Sequence, residues 1–317
     1  MYDSSFSGCE QLTALHISAA TSPRYSVSYF AAFADKLDWL RLHAEEKKLI
    51  LAGGSATRYA YDSERFLAAF PDHLPVNMGV YAYTNMLPQY RLMEQFIQPG
   101  DALISSPEFD TPRTQFCASN ALDSLFFAMA EADYACVSML DLREYSRVFD
   151  SLAEYLHART AMTARTYEES PRRYDDDGNP AANPVYNQYG DYVLPRSGAD
   201  KDELLQTYLA PYTREAFPLE MVEALQSVFD EFQEKGARVF FAYAPRNHSA
   251  LSEDSTAEER RALDAFLRAH LSVPFLLEME DSLYPATSFY LIDNHLSTKG
   301  VQVHMDKVVP ALEKYLQ

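Results

Sequence analysis

The sequence predicts an α/β fold in which helices cover both faces of a parallel sheet. Short apolar segments alternate with stretches whose apolar residues recur at helical spacing, and the first three segments end at glycine, serine or proline. Strands with this character are typical of a parallel sheet, because crossover helices bury both of its faces. At 317 residues with 47% apolar content, the chain can bury one large core without disulfides. We therefore treat residues 1–317 as a single domain.

The first three strands and their helices are predicted between residues 26 and 109. Helical spacing of apolar residues predicts a helix over 26–48, and the apolar run over 48–53 predicts the first strand. The next helix, over 63–70, ends at Pro71, since proline cannot continue a helix. Strands over 74–79 and 101–106, with a helix over 85–97 between them, continue the alternation.

The alternation pauses between residues 110 and 236. Helical patterns at 121–130, 142–158 and 218–235 flank a polar stretch over 168–202. We interpret 110–236 as a helical and polar insertion within the domain, either a lid or a solvated loop, because it is too long for an ordinary connection. Further strands and helices follow this insertion: strands over 238–244 and 273–277, and helices over 256–270 and 298–316.

Composition excludes several classes of function. The net charge of −19 disfavours nucleic acid or an anionic membrane surface as the main partner, because both repel an acidic chain. No apolar run reaches the roughly 18–20 residues of a spanning helix, and the N-terminus lacks a signal-peptide pattern. We therefore expect no integral membrane segment. The cysteines predict neither a disulfide framework nor a zinc site; they are Cys9, Cys117 and Cys136.

Candidate catalytic residues follow the predicted strands, where open parallel sheets bind ligands. Ser55 follows Gly53 and Gly54 at a strand-to-helix turn, so that its hydroxyl and nearby backbone N–H groups can face a ligand. A serine hydroxyl gives its proton to a base as it attacks a carbonyl, and His295 can be that base. Asp293, two positions earlier, can accept the other ring N–H.

The same strand ends supply candidate oxyanion donors and substrate contacts. The backbone N–H groups of Ser55 and Gly79 are candidate oxyanion donors. Two structural interpretations also stay open. Asp293 can simply cap the terminal helix, and a lone histidine is often structural. Glu108 with Asp110 makes a poor metal pair, because two carboxylates alone are too few ligands. Substrate contacts are assigned near the same rim, to Arg58, Tyr81, Asn85, Glu108, Asn247 and His248.

Three short blocks of the chain carry a family resemblance. They are Gly53-Gly54-Ser55, Asn77-Met78-Gly79 and Asp293-Asn294-His295-Leu296. In this order they resemble the SGNH (GDSL-like) hydrolase superfamily, and more narrowly its bacterial cell-envelope branch. That branch includes alginate O-acetyltransferase-like proteins and the D-alanyl transfer protein of teichoic acids. The stretch over 100–109 also resembles a recurring segment in uncharacterised members of the branch.

The resemblance implies a three-layer α/β/α, flavodoxin-like fold with central strand order 2-1-3-4-5. It implies Ser55 as nucleophile, His295 as base and Asp293 as orienting acid, with no metal or organic cofactor. It also implies hydrolysis or transfer of a small acyl group, often acetyl, on a carbohydrate or cell-envelope polymer, and an extracytoplasmic location. Glu108 stands where the superfamily usually has an oxyanion-hole asparagine, so another amide must supply that donor: Asn77, Asn85 or Asn247.

Two hypotheses of different classes follow. The first is a serine-dependent esterase or O-acyltransferase. The second is a glycan-binding or scaffold protein that keeps the fold while its chemistry has decayed, motivated by the missing asparagine and the tyrosine-rich insertion. A cysteine-dependent enzyme has little support, because neither Cys117 nor Cys136 follows a predicted strand beside a basic residue.

Overall fold

The centre of the fold is a four-stranded parallel sheet. The computed structural model describes residues 29–79, 86–109, 148, 152–153, 186–206 and 208–316. Within these residues the sheet has the order β2-β1-β3-β4, so the predicted α/β fold with a parallel sheet is confirmed. The strands of this sheet are Lys48–Gly53 (β1), Leu74–Asn77 (β2), Ala102–Ser106 (β3) and Arg238–Phe241 (β4). Two short strands, Arg246–Asn247 (β5) and Leu283–Tyr284 (β6), pair in parallel as a separate sheet.

The fifth strand of the predicted order is not confirmed. Where a strand is predicted over 273–277, the structure forms one isolated parallel bridge, between Phe241 and Phe275. The Phe241 N–H donates to the carbonyl of Pro274, and the Leu276 N–H donates back to Phe241, both at 2.9 Å. Pro274 has no N–H to extend the ladder. This segment therefore lies beside β4 without becoming a strand.

Helices lie on both faces of the sheet, as alternate side chains of β1 indicate. Ile50 belongs to a hydrophobic cluster shared with α1, α4, α5 and α6, whereas Leu51 belongs to a second cluster shared with α7. Strand side chains point alternately to opposite faces, so each cluster covers one face. The helices are Tyr29–Leu42 (α1), Ser55–Ala60 (α2), Ser63–Ala69 (α3), Leu87–Glu94 (α4), Leu219–Glu234 (α5), Ala257–His270 (α6) and Thr298–Leu316 (α7).

Capping side chains mark where two of these helices begin. Asp62 accepts the N–H of Arg65 at 3.1 Å ahead of α3, and Thr256 accepts the N–H of Glu259 at 3.2 Å ahead of α6. The predicted helices over 63–70, 218–235, 256–270 and 298–316 match α3, α5, α6 and α7 closely. Two differences stand out: α1 ends at Leu42 rather than 48, and α2 was not predicted.

Most of the predicted insertion over 110–236 lies outside the described residues, including the helix predicted over 121–130. Its described part reaches the sheet through Lys36 of α1. The Nζ of Lys36 donates to the carbonyls of Asn77 (2.6 Å), Gly79 (2.9 Å) and Gly190 (3.0 Å). This buried lysine therefore ties the end of β2 to the insertion. No helix in the described ranges is both long and apolar enough to cross a membrane.

Candidate active site

The nucleophile and base predicted from sequence meet at the carboxyl end of β1. The Oγ of Ser55 and the Nε2 of His295 lie 2.9 Å apart, although 240 residues separate them in the chain. Ser55 is the first residue of α2, so it stands on a strand-to-helix junction as the glycines predict. This distance is within hydrogen-bond reach, as general-base activation of a hydroxyl requires.

Two glycines let the backbone close tightly around Ser55. A Cβ added to Gly53 would lie 1.9 Å from Thr57 Oγ1 and 2.4 Å from the carbonyl oxygen of Ser106. A Cβ added to Gly79 would lie 2.5 Å from the backbone nitrogen of Arg58. Both distances are far inside van der Waals contact. The sequence therefore needs glycine here because three chain segments approach closely, and not because of an unusual φ.

A tyrosine of α2 orients the imidazole of His295. The ring of Tyr59, one helical turn after Ser55, stacks on the imidazole with centroids 3.9 Å apart and an interplanar angle of 18°. The backbone carbonyl of His295 accepts the Tyr290 N–H at 2.7 Å, which fixes the loop that carries the histidine. The face of the base and the loop behind it are thus both constrained.

Burial and two nearby guanidinium groups set the charge state of His295. Burial, together with the positive charges of Arg58 and Arg196, holds the pKa of His295 well below its ordinary value of 6.5. The imidazole is therefore neutral at pH 7. Its Nε2 can then accept the hydroxyl proton of Ser55, which requires the tautomer with hydrogen on Nδ1.

The arginines themselves are held by tyrosines and by backbone carbonyls. Arg58 lies 5.0 Å from the ring centroid of Tyr59, and Arg196 lies 5.3 Å from the same ring. Arg196 also donates through Nε to the Leu296 carbonyl (2.9 Å) and through Nη1 to the Tyr192 carbonyl (2.7 Å). Burial lowers the pKa of Arg196 from its ordinary value. Arg58 thus lies beside His295 and is fully buried, and its contact with a substrate stays a prediction.

Asp293 is close to the site but does not face the base. Its Oδ1 accepts the Leu205 N–H (3.0 Å) and the Nδ2 of Asn247 (2.6 Å), and its Oδ2 accepts the Gln206 N–H (2.9 Å). Within the described ranges no bond joins this carboxylate to His295, so the expected contact of an orienting acid is corrected. The physical reason is that three donors, two on Oδ1 and one on Oδ2, hold the carboxylate toward Asn247 and the segment of Leu205 and Gln206.

The predicted oxyanion donors at the end of β2 are already bonded. The Gly79 N–H donates to the Oδ1 of Asn77 at 3.0 Å. The Nδ2 of Asn77 donates to the Thr57 carbonyl (3.3 Å) and to Asp191 (2.9 Å). Asn77 is fully buried. In this geometry both groups stabilise the turn beside Ser55, and neither has a donor left over for an oxyanion.

Glu108 is a buried carboxylate at the end of β3 that reaches both sides of the site. Its Oε1 accepts the backbone N–H of Ala56, and its Oε2 accepts the Nδ2 of Asn294 at 3.0 Å. Ala56 follows Ser55 and Asn294 precedes His295. Glu108 therefore contacts the chain neighbours of Ser55 and His295. A substrate contact at Glu108 stays a prediction.

Of the remaining predicted substrate residues, one is buried, one is exposed, and two lie outside the described ranges. Asn247 is buried, and its Nδ2 donates to Asp293 and to the Glu203 carbonyl (3.0 Å). His248 is exposed and pairs with Asp202 at 2.9 Å. The side chain of Asn247 therefore bonds to other protein groups. The side chain of His248, in contrast, is accessible to solvent. Two of the assigned residues lie outside the described part of the chain: Tyr81 and Asn85.

An open cavity of about 330 Å³ lies beside Arg196, although neither Ser55 nor His295 lines it. Tyr192 and Arg196 line it, and the Tyr192 ring packs on Tyr59 with centroids 4.7 Å apart. Tyr59 therefore contacts both a wall of the cavity and the imidazole of His295. The rest of the lining is largely polar, with Asp62, Glu64, Asn187, Asp191, Thr298 and Gln302 among its residues.

Sequence reasoning missed Tyr59, Asp191 and Arg196. Tyr59 lies four positions after Ser55, which is one helical turn, so recognising α2 would have placed it beside the nucleophile. Asp191 accepts hydrogen bonds from Ser63 and Asn77, and burial raises its pKa. It and Arg196 fall in a polar loop without periodicity, and no pattern in the sequence indicates where that loop packs.

Comparisons with known proteins add no assignment. No protein-family model matches the chain, and no curated protein matches its sequence significantly. Within the described ranges, no group of three or more His, Cys, Asp or Glu residues is arranged to hold a metal ion. We therefore infer function from the geometry of the site.

Proposed function

We propose that this protein is a serine-dependent esterase or O-acyltransferase, with Ser55 as nucleophile and His295 as general base. The observation that carries the proposal is the 2.9 Å contact between Ser55 Oγ and His295 Nε2. Its support is that the two groups come from opposite ends of the described chain, and that the histidine is neutral and therefore able to accept a proton.

The proposed reaction has two steps. Ser55 Oγ bonds to the carbonyl carbon of an ester as its proton moves to His295 Nε2, and the protonated imidazole then gives that proton to the departing alkoxide. The C–O bond to the leaving alcohol breaks, which leaves an acyl-serine. Water or an acceptor hydroxyl next gives its proton to His295 as it attacks the acyl carbon. The bond from that carbon to Ser55 Oγ breaks, and the imidazolium returns the proton to Ser55 Oγ. Whether the product is an acid or a new ester depends on which hydroxyl reaches the acyl group.

The backbone N–H of Ser55 is the proposed oxyanion donor. It heads α2, and no acceptor for it is found within the described residues. By contrast, the N–H groups of Ala56 and Gly79 are bonded to Glu108 and Asn77. The guanidinium groups of Arg58 and Arg196, whose charges act on His295, add positive potential near the site. Together these groups would stabilise negative charge on the carbonyl oxygen.

The proposals for the fold family, the acyl group, the substrate and the location come from the three sequence blocks that resemble the SGNH superfamily. We propose that the fold is the three-layer, flavodoxin-like SGNH arrangement, with the segment over 273–277 in the fifth position. We further propose a small acyl group, such as acetyl, carried on a saccharide or cell-envelope polymer outside the cytoplasm, with the insertion over 110–236 as a lid. The tyrosines beside the cavity support this substrate class, because sugar rings pack on aromatic faces while carboxylates and amides bind their hydroxyls.

The test is hydrolysis of a short-chain aryl acetate by purified protein. We expect Ser55→Ala to abolish turnover and His295→Gln to lower kcat by about 10³- to 10⁴-fold, since a dyad works as a unit. Ser272→Ala, at an exposed serine after α6, is the matched control and should keep the full rate. A Ser55→Ala variant as active as the wild type would refute Ser55 as nucleophile.

A second candidate is a binding protein of this fold without turnover. The observation that favours it is the Glu108 carboxylate on the Ala56 N–H, together with the bonded Gly79 N–H, because both reduce the donors open to an oxyanion. This candidate predicts saccharide binding, no hydrolysis of aryl acetates, and no reaction of Ser55 with a fluorophosphonate.

A further inference from the structure

Glu108 links the two halves of the proposed active site. Its carboxylate is 2% exposed and accepts one hydrogen bond from each side: from the backbone of Ala56 and from the side chain of Asn294. These donors lie 52 residues before and 186 residues after Glu108 in the chain. Each is the immediate neighbour of a reacting residue.

We infer that Glu108 is a positioning residue that fixes the distance between Ser55 and His295. This inference rests on the proposed function for its catalytic meaning. A carboxylate has two oxygens in one rigid plane, so accepting one N–H on each oxygen fixes α2 relative to the loop that carries His295. The stack of Tyr59 on His295 sets the face of the ring, whereas the Glu108 bridge sets how far the ring stands from the hydroxyl.

Three other roles for Glu108 would each require a different contact or a different change in rate. An oxyanion donor needs a hydrogen to give, which a carboxylate lacks. A group that orients the base must contact its ring, but the described bonds of Glu108 go to Ala56 and Asn294. A carboxylate that blocks the oxyanion site would slow the reaction, so its removal would speed turnover. Positioning predicts the opposite, because a misplacement of about 1 Å between reacting groups can cost about 10²-fold in rate.

The experiment compares three variants by steady-state kinetics on an aryl acetate, with active sites counted by burst titration. Glu108→Leu removes both bonds, and we expect kcat to fall about 10²-fold with little change in KM. Glu108→Gln keeps both bonds once the amide of Asn294 rotates, and we expect a loss of less than about tenfold. Asn294→Ala removes only one arm of the bridge, and we expect an intermediate loss. Glu258→Leu, at an exposed position of α6, is the matched control and should not change kcat.

Several outcomes would overturn the inference. A rise in kcat for both Glu108 variants would show a blocking carboxylate, and equal losses in Glu108→Leu and Glu108→Gln would show that the charge acts directly. An unchanged kcat per titrated site in Glu108→Leu and Asn294→Ala would show a purely structural role.

A crystal structure of Asn294→Ala or Glu108→Leu separates this inference from the proposed function. We expect the distance from Ser55 Oγ to His295 Nε2 to exceed hydrogen-bond reach in Glu108→Leu, whether or not the protein hydrolyses esters. A wild type that neither hydrolyses aryl acetates nor reacts with a fluorophosphonate would remove the proposed function. An unchanged distance in either variant would remove the positioning role.

Discussion

Replacing Asp293 separates a structural carboxylate from a catalytic one. Its carboxylate is 1% exposed and accepts three hydrogen bonds, from Leu205, Gln206 and Asn247. Asp293→Ala leaves these donors without their acceptor, at about 1–3 kcal/mol for each buried donor. Leu205 and Gln206 are partly or fully exposed and regain water, so we expect the lower end of the sum, about 3–5 kcal/mol of unfolding free energy.

Asp293→Asn is the more discriminating variant. Its amide keeps one acceptor oxygen but turns an NH₂ toward the Gln206 N–H, so we expect a loss of about 1–3 kcal/mol. In a Ser-His-Asp triad the same change lowers turnover about 10⁴-fold, because the base adopts the wrong tautomer. Here the carboxylate has no bond to His295 in the described structure, so we expect kcat to fall by less than about tenfold.

The assay pairs urea unfolding with steady-state hydrolysis of an aryl acetate on the same preparations. For Asp293→Ala the expected loss also lowers Tm by roughly 6–20 °C, at about 2–4 °C per kcal/mol. A 10⁴-fold loss of kcat in Asp293→Asn with unchanged stability would refute the reasoning and restore Asp293 as the acid of a triad.

Three further predictions concern His295, His304 and Gly79. Because burial, Arg58 and Arg196 lower the pKa of His295, kcat/KM should stay level as pH falls to about 6, and Arg196→Gln should move the acid limb to higher pH. Burial and Lys307 lower the pKa of His304 to about 3, so the unfolded state binds the proton first as pH falls below 6.5. Unfolding free energy should therefore decrease by about 1.4 kcal/mol per pH unit from this histidine between pH 6.5 and 3, and His304→Gln should remove that slope. Gly79→Ala places a Cβ 2.5 Å from the Arg58 nitrogen, so we expect a loss of about 1–3 kcal/mol in urea unfolding.

Each of these has a control and a contrary result. Arg196→Lys keeps the positive charge and should leave the acid limb in place; an ordinary limb near pH 6.5 in the wild type would contradict the neutral base. A pH slope unchanged in His304→Gln would show that other groups control acid stability. Met78→Leu, a volume-conserving change beside Gly79, should cost less than about 1.5 kcal/mol. A Gly79→Ala variant as stable as the wild type would contradict the close approach.

The sequence predicted the sheet and the meeting of Ser55 with His295 because both depend on local signals. Apolar runs that end in glycine identify strands, and parallel strands place their carboxyl ends at one edge. The five-strand order was not reached because Pro274 interrupts the ladder beside β4. The α2 helix was missed because six residues give too little periodicity to recognise.

The interior of the site could not be predicted from sequence because it depends on which donors reach which acceptors. Asp293 stands at the position of an orienting acid, but the segment over 203–206 occupies its oxygens. The side chain of Asn77 accepts the Gly79 N–H and donates to Asp191, so it bonds within the turn. Arg196 enters from a loop whose packing has no sequence signature. Motif spacing thus predicted that Ser55 and His295 lie together, whereas the surrounding hydrogen bonds could be identified only from the structure.

The most direct measurement is reaction of the folded protein with a fluorophosphonate, followed by intact-mass analysis and peptide mapping. We expect one phosphonyl group, on Ser55, absent in Ser55→Ala and formed far more slowly in His295→Gln. Labelling of the wild type at another residue, or no labelling of a folded wild type, would contradict the claim that these two side chains form a nucleophile and its base.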